Sequence, residues 1–472
     1  MTTTSINRNL PGPPAIPLTG WRGNATRFTL DPAKHMLQLY HKYGKLVALN
    51  QGYTNYVFIF GPEYTHQVLS NSSAFYNNDL SNLPIKFPED SPIHYIGSGL
   101  TMLNGDIHKQ QRRLMMPAFH KKRVEAYRES MLAITEARLA NWQIGQTRDM
   151  LKEMRQITLS IALKTLLGLE ADPKTEQIRQ NLEAWIKSIT STTTLLVPLN
   201  LPGTPYHHLL KLSERVTSEL KDLIKLKRAQ DTDSGDVLSR LIEAQDEDGS
   251  RLSDEELIGQ TATLFVAGHE TTAGALTWTL LLLEQHPAIM ADLLDELESK
   301  LQGAAPTLEQ MNQLPLLEAV IKESMRLLPP GLWFIRHAVA PFELGPYQLP
   351  AGTNLVYSPV VTHRDPDLYP QPNRFVPQRW EKINPSPYEY LPFSGGPRMC
   401  IGATFAMNEM KLVLPLILQR YRLSLAAGAK VDRAGMNLSS PKNGLPMRLN
   451  SPDRHFTKSP LRGNVKELVD LD

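Results

Sequence analysis

The sequence contains a single cysteine, Cys400, in 472 residues. One thiol excludes an internal disulfide, and it excludes zinc and iron–sulfur sites that need several thiolates from one chain. An excess of charge of one sign is also missing, because 50 Lys and Arg face 48 Asp and Glu and the net charge is +2. This balance excludes an overall field that would favour nucleic acid as the main partner. With 41% hydrophobic and 21% charged residues, the composition predicts a folded protein whose thiol has a special role or none.

Apolar runs of the kind that direct or anchor a chain in a membrane are scarce. The N-terminus has no apolar segment of signal-peptide or anchor length. The longest apolar stretch, residues 258–283, carries His269, Glu270 and six threonines. A carboxylate near the middle of a bilayer is costly, so we expect a buried central helix and no membrane span. We therefore expect a cytoplasmic protein.

The organisation of the chain predicts a single domain over residues 1–472, because no linker interrupts it. A proline-rich arm occupies residues 1–20, and the polar tail at residues 452–472 is expected to lack regular structure. Apolar residues recur at helical spacing from about 106 to 330, and one more helix is expected from about 400 to 421. Short strand-like pieces lie at residues 46–60 and beyond Pro329. The pattern predicts a mainly α fold with a small β region.

A glycine-rich turn, FSGGPRMCIG at residues 393–402, leads into that last predicted helix with Cys400 at its start. The amides of a helix N-terminus favour a thiolate. Two glycines let the backbone approach a flat ligand, and Phe393 can shield the sulfur from water. A thiolate in this position suits an axial haem ligand. The alternative is that Cys400 is a small buried hydrophobic residue.

The second polar segment, AGHETT at residues 267–272, lies in the middle of the long apolar helix. A buried acid beside threonines is expensive unless it has a purpose. The Thr271 hydroxyl can interrupt the backbone ladder and hold a water or dioxygen, and the Glu270 carboxylate can pass protons. The alternative is a helix kink with a satisfied polar cluster. His269 is expected to be an ordinary surface or core histidine.

The third segment is a pair of opposite charges, Glu323 and Arg326, on the rather apolar stretch PLLEAVIKESMRLLPP. Residues three apart share a helix face and can form an ion pair. Most such pairs are exposed and contribute little to stability. The apolar neighbours of this pair instead predict burial and a structural lock.

These segments together resemble the cytochrome P450 family, and the resemblance runs from the proline-rich arm to about residue 450. Residues 393–402 are similar to the family's haem-binding loop, and residues 267–272 to its oxygen-activation pattern. Glu323 and Arg326 resemble its Glu-x-x-Arg motif, completed by Arg379, although Gln378 stands where the family more often has Glu. The resemblance implies the P450 fold, with haem b between the long central helix and the helix that follows the cysteine loop. Cys400 would be the axial ligand of the iron.

The resemblance also implies roles for single residues. Glu270 and Thr271 would deliver protons to iron-bound dioxygen. The basic residues expected at the haem propionates are His108 and Arg112, at i and i+4 on one predicted helix, with Arg336 and Arg398; a solvated basic face is the alternative for the first two. Ala267, Phe393 and Gly402 are further expected cofactor contacts. The expected substrate pocket includes Phe87, Leu264, Phe265, Leu332, Trp333 and Phe334.

The function implied is that of a monooxygenase, EC 1.14 class, which inserts one oxygen atom from O2 into a lipophilic molecule such as a fatty acid, terpenoid or steroid. Electrons would come from a separate ferredoxin or flavodoxin with its reductase, so NAD(P)H would act only indirectly. The basic residues expected to receive that partner are Lys109, Arg112, Arg113, Lys121, Lys122 and Arg123. We expect a monomer with no nucleic acid partner. Three alternatives stay open: a peroxide-driven peroxygenase, a haem-binding sensor, and, for residues 195–203, an entry lip that touches membranes.

Overall fold

The computed structural model describes residues 10–52, 54–83, 85–170, 172–229 and 235–471. The chain divides into two compact units. The first comprises Met1–Tyr76, Thr135–Ile157 and Thr271–Asp472, and the second comprises Asn77–Ile134 and Thr158–Glu270. Each unit is discontinuous in sequence, and the prediction of a single domain stays a prediction.

Helices account for most of the regular structure. In chain order the described α-helices are α1 (Trp21–Leu30), α2 (Pro32–Tyr43), α3 (Pro62–Ser70), α4 (Ile93–Ile96), α5 (Gly105–Met115), α6 (Lys121–Ala126), α7 (Arg128–Leu139), α8 (Met150–Leu167), α9 (Pro173–Ile189), α10 (Thr192–Leu196), α11 (Pro205–Ala229), α12 (Val237–Glu243), α13 (Asp254–Glu284), α14 (Pro287–Leu301), α15 (Leu308–Met311), α16 (Pro315–Leu327), α17 (Pro359–Thr362) and α18 (Ala403–Leu418). The long central helix is confirmed as α13, and the boundary between the units falls within it, after Glu270. No helix in the described ranges combines the length and the apolar character needed to cross a lipid bilayer.

All strands of the described residues lie in the first unit. They are β1 (Leu46–Ala48), β2 (Tyr56–Ile59), β3 (Phe75–Tyr76), β4 (Thr147–Asp149), β5 (Phe334–Ala338), β6 (Phe342–Leu344), β7 (Tyr347–Leu349), β8 (Asn354–Tyr357), β9 (Arg422–Leu425), β10 (Arg433–Ala434), β11 (Ser440–Pro441) and β12 (Pro446–Asn450). The largest sheet has the order β1-β2-β8-β5-β3, in which only β2 and β8 run parallel. The predicted strand pair at residues 46–60 is confirmed by the antiparallel register of Val47 with Phe58.

The five-stranded sheet separates two apolar clusters of the first unit. Alternate residues of a strand point to opposite faces, so Val57 and Ile59 of β2 join one cluster while Phe58 joins the other. Leu355 and Tyr357 of β8 pack with the first cluster, on the side that carries α3 residues. The sheet thereby fixes the position of β5, which carries Arg336.

The described residues near each end of the chain make more contacts than the sequence predicts. Residues 1–9 of the predicted arm lie outside the described residues, but from Leu10, which is buried, the chain follows β1, and the Ala48 amide donates to Pro11 O at 2.8 Å. The polar tail at residues 452–472, whose composition allows disorder, contains a 3₁₀ helix at residues 464–467, and Leu468 is buried. Apolar side chains at a spacing of three or four, Val465, Leu468, Val469 and Leu471, are buried in a segment whose average composition is polar.

The second unit contains helices and loops. α9 and α11 pack together, and the Trp185 indole N–H donates to Ser213 Oγ at 2.9 Å. Asp172 caps α9 by accepting the Thr175 amide at 2.7 Å, which satisfies one donor of the first turn. A small apolar cluster that includes Ile85 and Tyr206 is built around the start of α11.

Candidate functional site

The cysteine lies in a turn of the first unit, between a 3₁₀ turn at Gly396–Arg398 and helix α18. Cys400 is exposed, which is unusual for a cysteine. Its amide donates to Phe393 O at 2.9 Å and closes the loop. The prediction that the cysteine belongs to the first helical turn is wrong, since α18 begins only at Ala403. The loop presents the thiol at the surface of the unit, ahead of the helix N-terminus.

Two glycines shape this loop for different reasons. Gly396 has a φ of 69°, and a Cβ there would lie 2.2 Å from Leu69 O of α3, so only glycine fits. A Cβ on Gly402 would lie 4.0 Å from the Cys400 sulfur, an ordinary contact distance. Gly396 is therefore required by the fold, whereas a Cβ at position 402 would fit beside the sulfur.

The predicted lock on α16 is confirmed in its geometry. Glu323 and Arg326 are fully buried, and the two carboxylate oxygens accept the Arg326 Nε and Nη2 protons, each at 2.9 Å. The same carboxylate accepts from Arg379 Nε at 2.9 Å, the Val376 amide at 2.9 Å and the Trp380 indole at 3.0 Å. Arg379 thus completes the cluster despite the departure at Gln378. All of these groups belong to the first unit, as the cysteine loop does.

A buried histidine that the sequence analysis did not single out joins this cluster to the cysteine loop. His363 Nε2 accepts the Leu391 amide at 2.8 Å, so the ring proton is on Nδ1, which donates to Arg326 O at 3.1 Å. The ring stacks on Tyr390 at 5.3 Å between centroids. Burial, and next the Arg326 guanidinium, lower the pKa of His363 to about 3. The fold therefore contains a neutral imidazole in a single tautomer. Only the position of the ring between an arginine and the cysteine loop could have indicated its role.

The free energy of unfolding is expected to fall in acid because of His363. The native ring resists protonation down to about pH 3, whereas the unfolded chain takes up a proton below its usual pKa of 6.5. The contribution of this group is complete above that value and decreases by about 1.4 kcal/mol per pH unit as the pH falls toward 3. Urea unfolding at several pH values below 6.5 measures the slope. His363→Gln should flatten the slope, while the same change at the exposed His120 should leave it; equal slopes in all three proteins would contradict the assignment.

The first unit also holds a buried cation that the sequence analysis placed at a haem propionate. Arg336 is 6% exposed, and its guanidinium lies over the Tyr357 ring at 5.4 Å and donates to Ile335 O at 2.9 Å. No carboxylate pairs with it among the described residues. Buried charges are costly unless paired, so this guanidinium suits an anionic ligand group. Arg398, half-buried, precedes the cysteine by two residues.

These observations test whether the chain suits haem. A haem needs an axial ligand for iron and cations for its propionates. The first unit supplies an exposed thiol on a shaped loop and, in Arg336, a buried guanidinium that pairs with no carboxylate of the described ranges. The residues present therefore fit the group.

The polar segment of α13 departs from the burial of the rest of the helix. Val266 and Ala267 are exposed in the middle of a helix whose other residues are mostly buried. A Cβ on Gly268 would lie 2.7 Å from Leu166 Cδ1 of the second unit, so glycine permits close packing there. The exposed stretch includes the predicted cofactor contact Ala267.

The side chains after Gly268 fall on either side of the unit boundary. His269 is buried, and its Nδ1 interacts with Phe265 O at 2.8 Å, which confirms a core histidine. Glu270, the last residue of the second unit, has a side chain 36% exposed, with Oε1 at 3.9 Å from His269 Nε2. Thr271 is half-buried and begins the following part of the first unit. The carboxylate and the hydroxyl are thus on consecutive residues, and neither side chain is fully buried.

The remaining predicted residues are divided between the units. In the second unit, α5 carries His108, which is buried, and Arg112, which is half-buried, and its helical spacing confirms that they share a face. Leu264 and Phe265 of α13 are buried, at 5% and 1% exposure. Phe87 stacks on Tyr206 at 6.0 Å.

Three predicted pocket residues belong to the first unit, and two of them serve its core. Leu332 is buried. Trp333 packs on Phe28 at 5.2 Å and donates its indole N–H to Met436 O at 2.6 Å. Phe334 stacks on Tyr357 at 5.4 Å. These contacts give Trp333 and Phe334 structural tasks beyond the predicted one.

Comparisons with known proteins identify similar chains. The family model described as Cytochrome P450 matches residues 10–445. Cyclooctatin synthase of Streptomyces melanosporofaciens is 33% identical over 445 residues, 92% of this chain and 94% of that protein. Pentalenene oxygenase of Streptomyces avermitilis is 31% identical over 427 residues, 89% of this chain and 92% of that protein. Among solved structures, retinoic acid-bound cyanobacterial CYP120A1 has a TM-score of 0.78 and 26% identity, covering 94% of this chain and 99% of that one.

Proposed function

The chain belongs to the cytochrome P450 family, and we propose that it oxidises a terpenoid. Membership makes it a haem-dependent monooxygenase of the EC 1.14 class. The substrate class rests on one observation, the terpenoid-oxidising activities named for three relatives at 31–33% identity, cyclooctatin synthase, cyclooctat-9-en-7-ol 5-monooxygenase and pentalenene oxygenase. Apolar residues at the predicted substrate positions of each unit, such as Leu264 and Leu332, support a lipophilic molecule over a charged one.

The residues proposed to hold haem are those that the sequence motifs indicate. The Cys400 thiolate is the proposed iron ligand, and the proposed partners of the propionates are Arg336, Arg398, His108 and Arg112. Bound haem supplies the activation of O2 and the transfer of one oxygen atom to the substrate. Phe393, whose carbonyl accepts the Cys400 amide, is the residue proposed to shield the sulfur from water when haem is bound.

Proton delivery is the proposed task of Glu270 and Thr271. The Glu270 carboxylate is partly exposed, so it can exchange protons with solvent. The Thr271 hydroxyl, on the next residue, can both donate and accept a hydrogen bond. A proton held at Glu270 can therefore pass toward the reacting oxygen through the hydroxyl.

Electrons would come from a separate ferredoxin or flavodoxin and its reductase, with NAD(P)H as the indirect source. Two of the basic residues predicted to receive the redox partner already form ion pairs. Lys109 pairs with Asp106 at 2.9 Å, and Arg113 pairs with Asp246 at 2.5 Å. Residues 121–123, at the start of α6, are exposed and make no ion pair with described residues. We assign the docking of an acidic partner mainly to these three cations. A cytoplasmic monomer without nucleic acid remains our expectation.

Turnover with a surrogate ferredoxin and reductase tests the proposal. Cyclic terpene hydrocarbons, fatty acids and steroids are compared, with isotopically labelled dioxygen. We expect one labelled oxygen atom in a terpenoid product. Equal or better turnover of the other classes would contradict the substrate class, and oxidation that requires hydrogen peroxide instead of reductase would favour the peroxygenase.

Replacing Thr271 with alanine is expected to separate electron use from product formation. Without the Thr271 hydroxyl, protons are no longer directed to the reacting oxygen, and more of the consumed electrons leave as reduced oxygen. The amount of product formed per electron should therefore fall about tenfold or more. The measurement compares NAD(P)H consumed, hydrogen peroxide released and product formed. Thr272→Val is the matched control, because Thr272 is the next residue of α13 and is buried. Unchanged coupling in Thr271→Ala, or equal loss in the control, would overturn the role of Thr271.

A further inference from the structure

Two glutamine side chains of the second unit are buried and belong to one chain of hydrogen bonds. Gln111 of α5 is 1% exposed and Gln260 of α13 is 0% exposed. Gln260 Oε1 accepts the Leu100 amide at 3.0 Å, and Gln260 Nε2 donates to Gln111 Oε1. Gln111 Nε2 then donates to Glu256 Oε1 at 2.7 Å. These bonds join the loop at residues 97–104, which we call the α4–α5 loop, to two helices.

The direction of these hydrogen bonds is fixed at both ends. A backbone amide can only donate, so the Gln260 carbonyl oxygen must face Leu100 and its N–H group must face Gln111. A carboxylate can only accept, and Glu256 also accepts the Ser253 amide at 2.8 Å, just before α13 begins. Turning either glutamine amide would break two hydrogen bonds of a buried side chain, which is costly. Each glutamine is therefore held in one orientation.

The α4–α5 loop lies directly against the backbone of α13. A Cβ on Gly99 would lie 2.4 Å from Gly259 O, and a Cβ on Gly259 would lie 2.8 Å from the Gly99 nitrogen. Glycine at both positions therefore permits an approach that a side chain would prevent. Leu100, the next residue of the loop, is 6% exposed. The bond from the Leu100 amide to Gln260 thus holds the loop at the point of closest approach.

This contact lies on the helix face that carries predicted ligand contacts. Gln260, Leu264 and Ala267 stand at i, i+4 and i+7 of α13, so their side chains share one face. Leu264 is a predicted substrate contact and Ala267 a predicted haem contact. We infer that Gln260 is a positioning residue, which acts through the α4–α5 loop by holding it as a fixed wall of the substrate pocket. The inference rests on the proposed function, because that function makes this face of α13 part of the pocket.

Hydrogen–deuterium exchange of the haem-loaded full chain tests the hold on the loop. In Gln260→Leu the Leu100 amide loses its acceptor, so peptides covering residues 97–104 should exchange about tenfold faster. Thr261→Val is the matched control, because Thr261 is also 0% exposed on α13 and its hydroxyl donates to Leu257 O of the same helix at 2.7 Å. The control should exchange as the parent does.

Two small ligands of haem iron test whether the held loop shapes the pocket. Imidazole and 4-phenylimidazole share the nitrogen that binds iron, but only the second has a ring that extends toward a pocket wall. In Soret titrations, Gln260→Leu should bind 4-phenylimidazole about tenfold more weakly, because a loosened wall must be ordered on binding, and imidazole within about twofold of the parent. Gln260→Glu should restore both affinities, because a neutral carboxyl keeps an acceptor for the Leu100 amide and a donor for Gln111. A merely structural role would leave the ratio of the two affinities unchanged.

A second variant keeps the test decisive if thermal unfolding shows that Gln260→Leu does not fold. Gln111→Leu leaves the Leu100 acceptor in place but removes the group that orients the Gln260 amide, so exchange of residues 97–104 should rise about threefold.

Three results would overturn the inference. The first is exchange equal to that of the parent in the folded variant. The second is an equal effect in Thr261→Val. The third is faster exchange with an unchanged ratio of affinities, because the loop would then be held without shaping the pocket. None of these measurements uses turnover, so they stand or fall separately from the class of molecule that the protein oxidises.

Discussion

In the Cys400→Ala variant, the carbon monoxide complex of the reduced protein is expected to lose a strongly red-shifted Soret band, and monooxygenase activity should disappear. A thiolate ligand would donate electron density to the haem iron, and a cysteine-ligated haem would give the red-shifted band and favour O–O cleavage. The chain has one cysteine, so no other thiol can take its place. The difference spectrum between reduced protein with and without carbon monoxide measures the effect.

Two further variants make the result specific to the sulfur. Cys400→His should bind haem with the spectrum typical of nitrogen ligation, because imidazole is itself an axial ligand. Met399→Leu changes the adjacent side chain, which is 42% exposed, and should keep the red-shifted band. Persistence of that band in Cys400→Ala would show that the thiol does not bind the iron.

The Glu323→Ala variant is expected to lose about 3–5 kcal/mol of unfolding free energy. The substitution leaves the guanidinium groups of Arg326 and Arg379 buried without their carboxylate, at 0% and 8% exposure. It also removes the acceptor of the Val376 amide and the Trp380 indole. Because His363 bonds both Arg326 O and the Leu391 amide, disorder should spread to the cysteine loop, and haem should be retained less well. Urea unfolding and haem content measure the two effects.

Glu318 provides the control on the same helix. It also pairs with two cations, Lys322 at 2.6 Å and Lys411 at 2.5 Å, but its side chain is 36% exposed. Glu318→Ala should cost less than Glu323→Ala, because the Glu318 carboxylate and Lys322 are each about one third exposed and only Lys411, at 9%, is left buried. Similar losses at both positions would contradict the claim that burial makes the Glu323 cluster important.

The sequence predicts those parts of the site whose residues are close together in the chain. The turn at residues 393–402, the polar segment of α13 and the pair on α16 each consist of residues close in the chain, so spacing and residue type indicated them. Helical spacing likewise placed His108 and Arg112 on one face of α5. The element bounds were less accurate: the last helix begins at Ala403 instead of near Cys400, because the turn that presents the thiol is closed by the Phe393 carbonyl and not by helical bonds.

The spacing and pattern of residues could not predict contacts between segments that are distant in the chain. His363 lies 37 residues from Arg326 and 28 from Leu391, and only the folded chain brings its ring between them. Trp333 and Phe334 were predicted as pocket residues, and only folding shows that they also pack on Phe28 and Tyr357. The tail is polar on average, but five of its apolar residues, Leu461, Val465, Leu468, Val469 and Leu471, are buried.

Short sequence motifs therefore carry the chemistry of this protein. Ligand atoms, proton carriers and glycine turns each require particular residue types at a fixed short spacing. Burial is a property of the fold, since it depends on which distant segments meet. The sequence alone could name Cys400, Glu270 and Arg336. Folding decides that the thiol is exposed and that Arg336 is buried with no carboxylate beside it among the described residues.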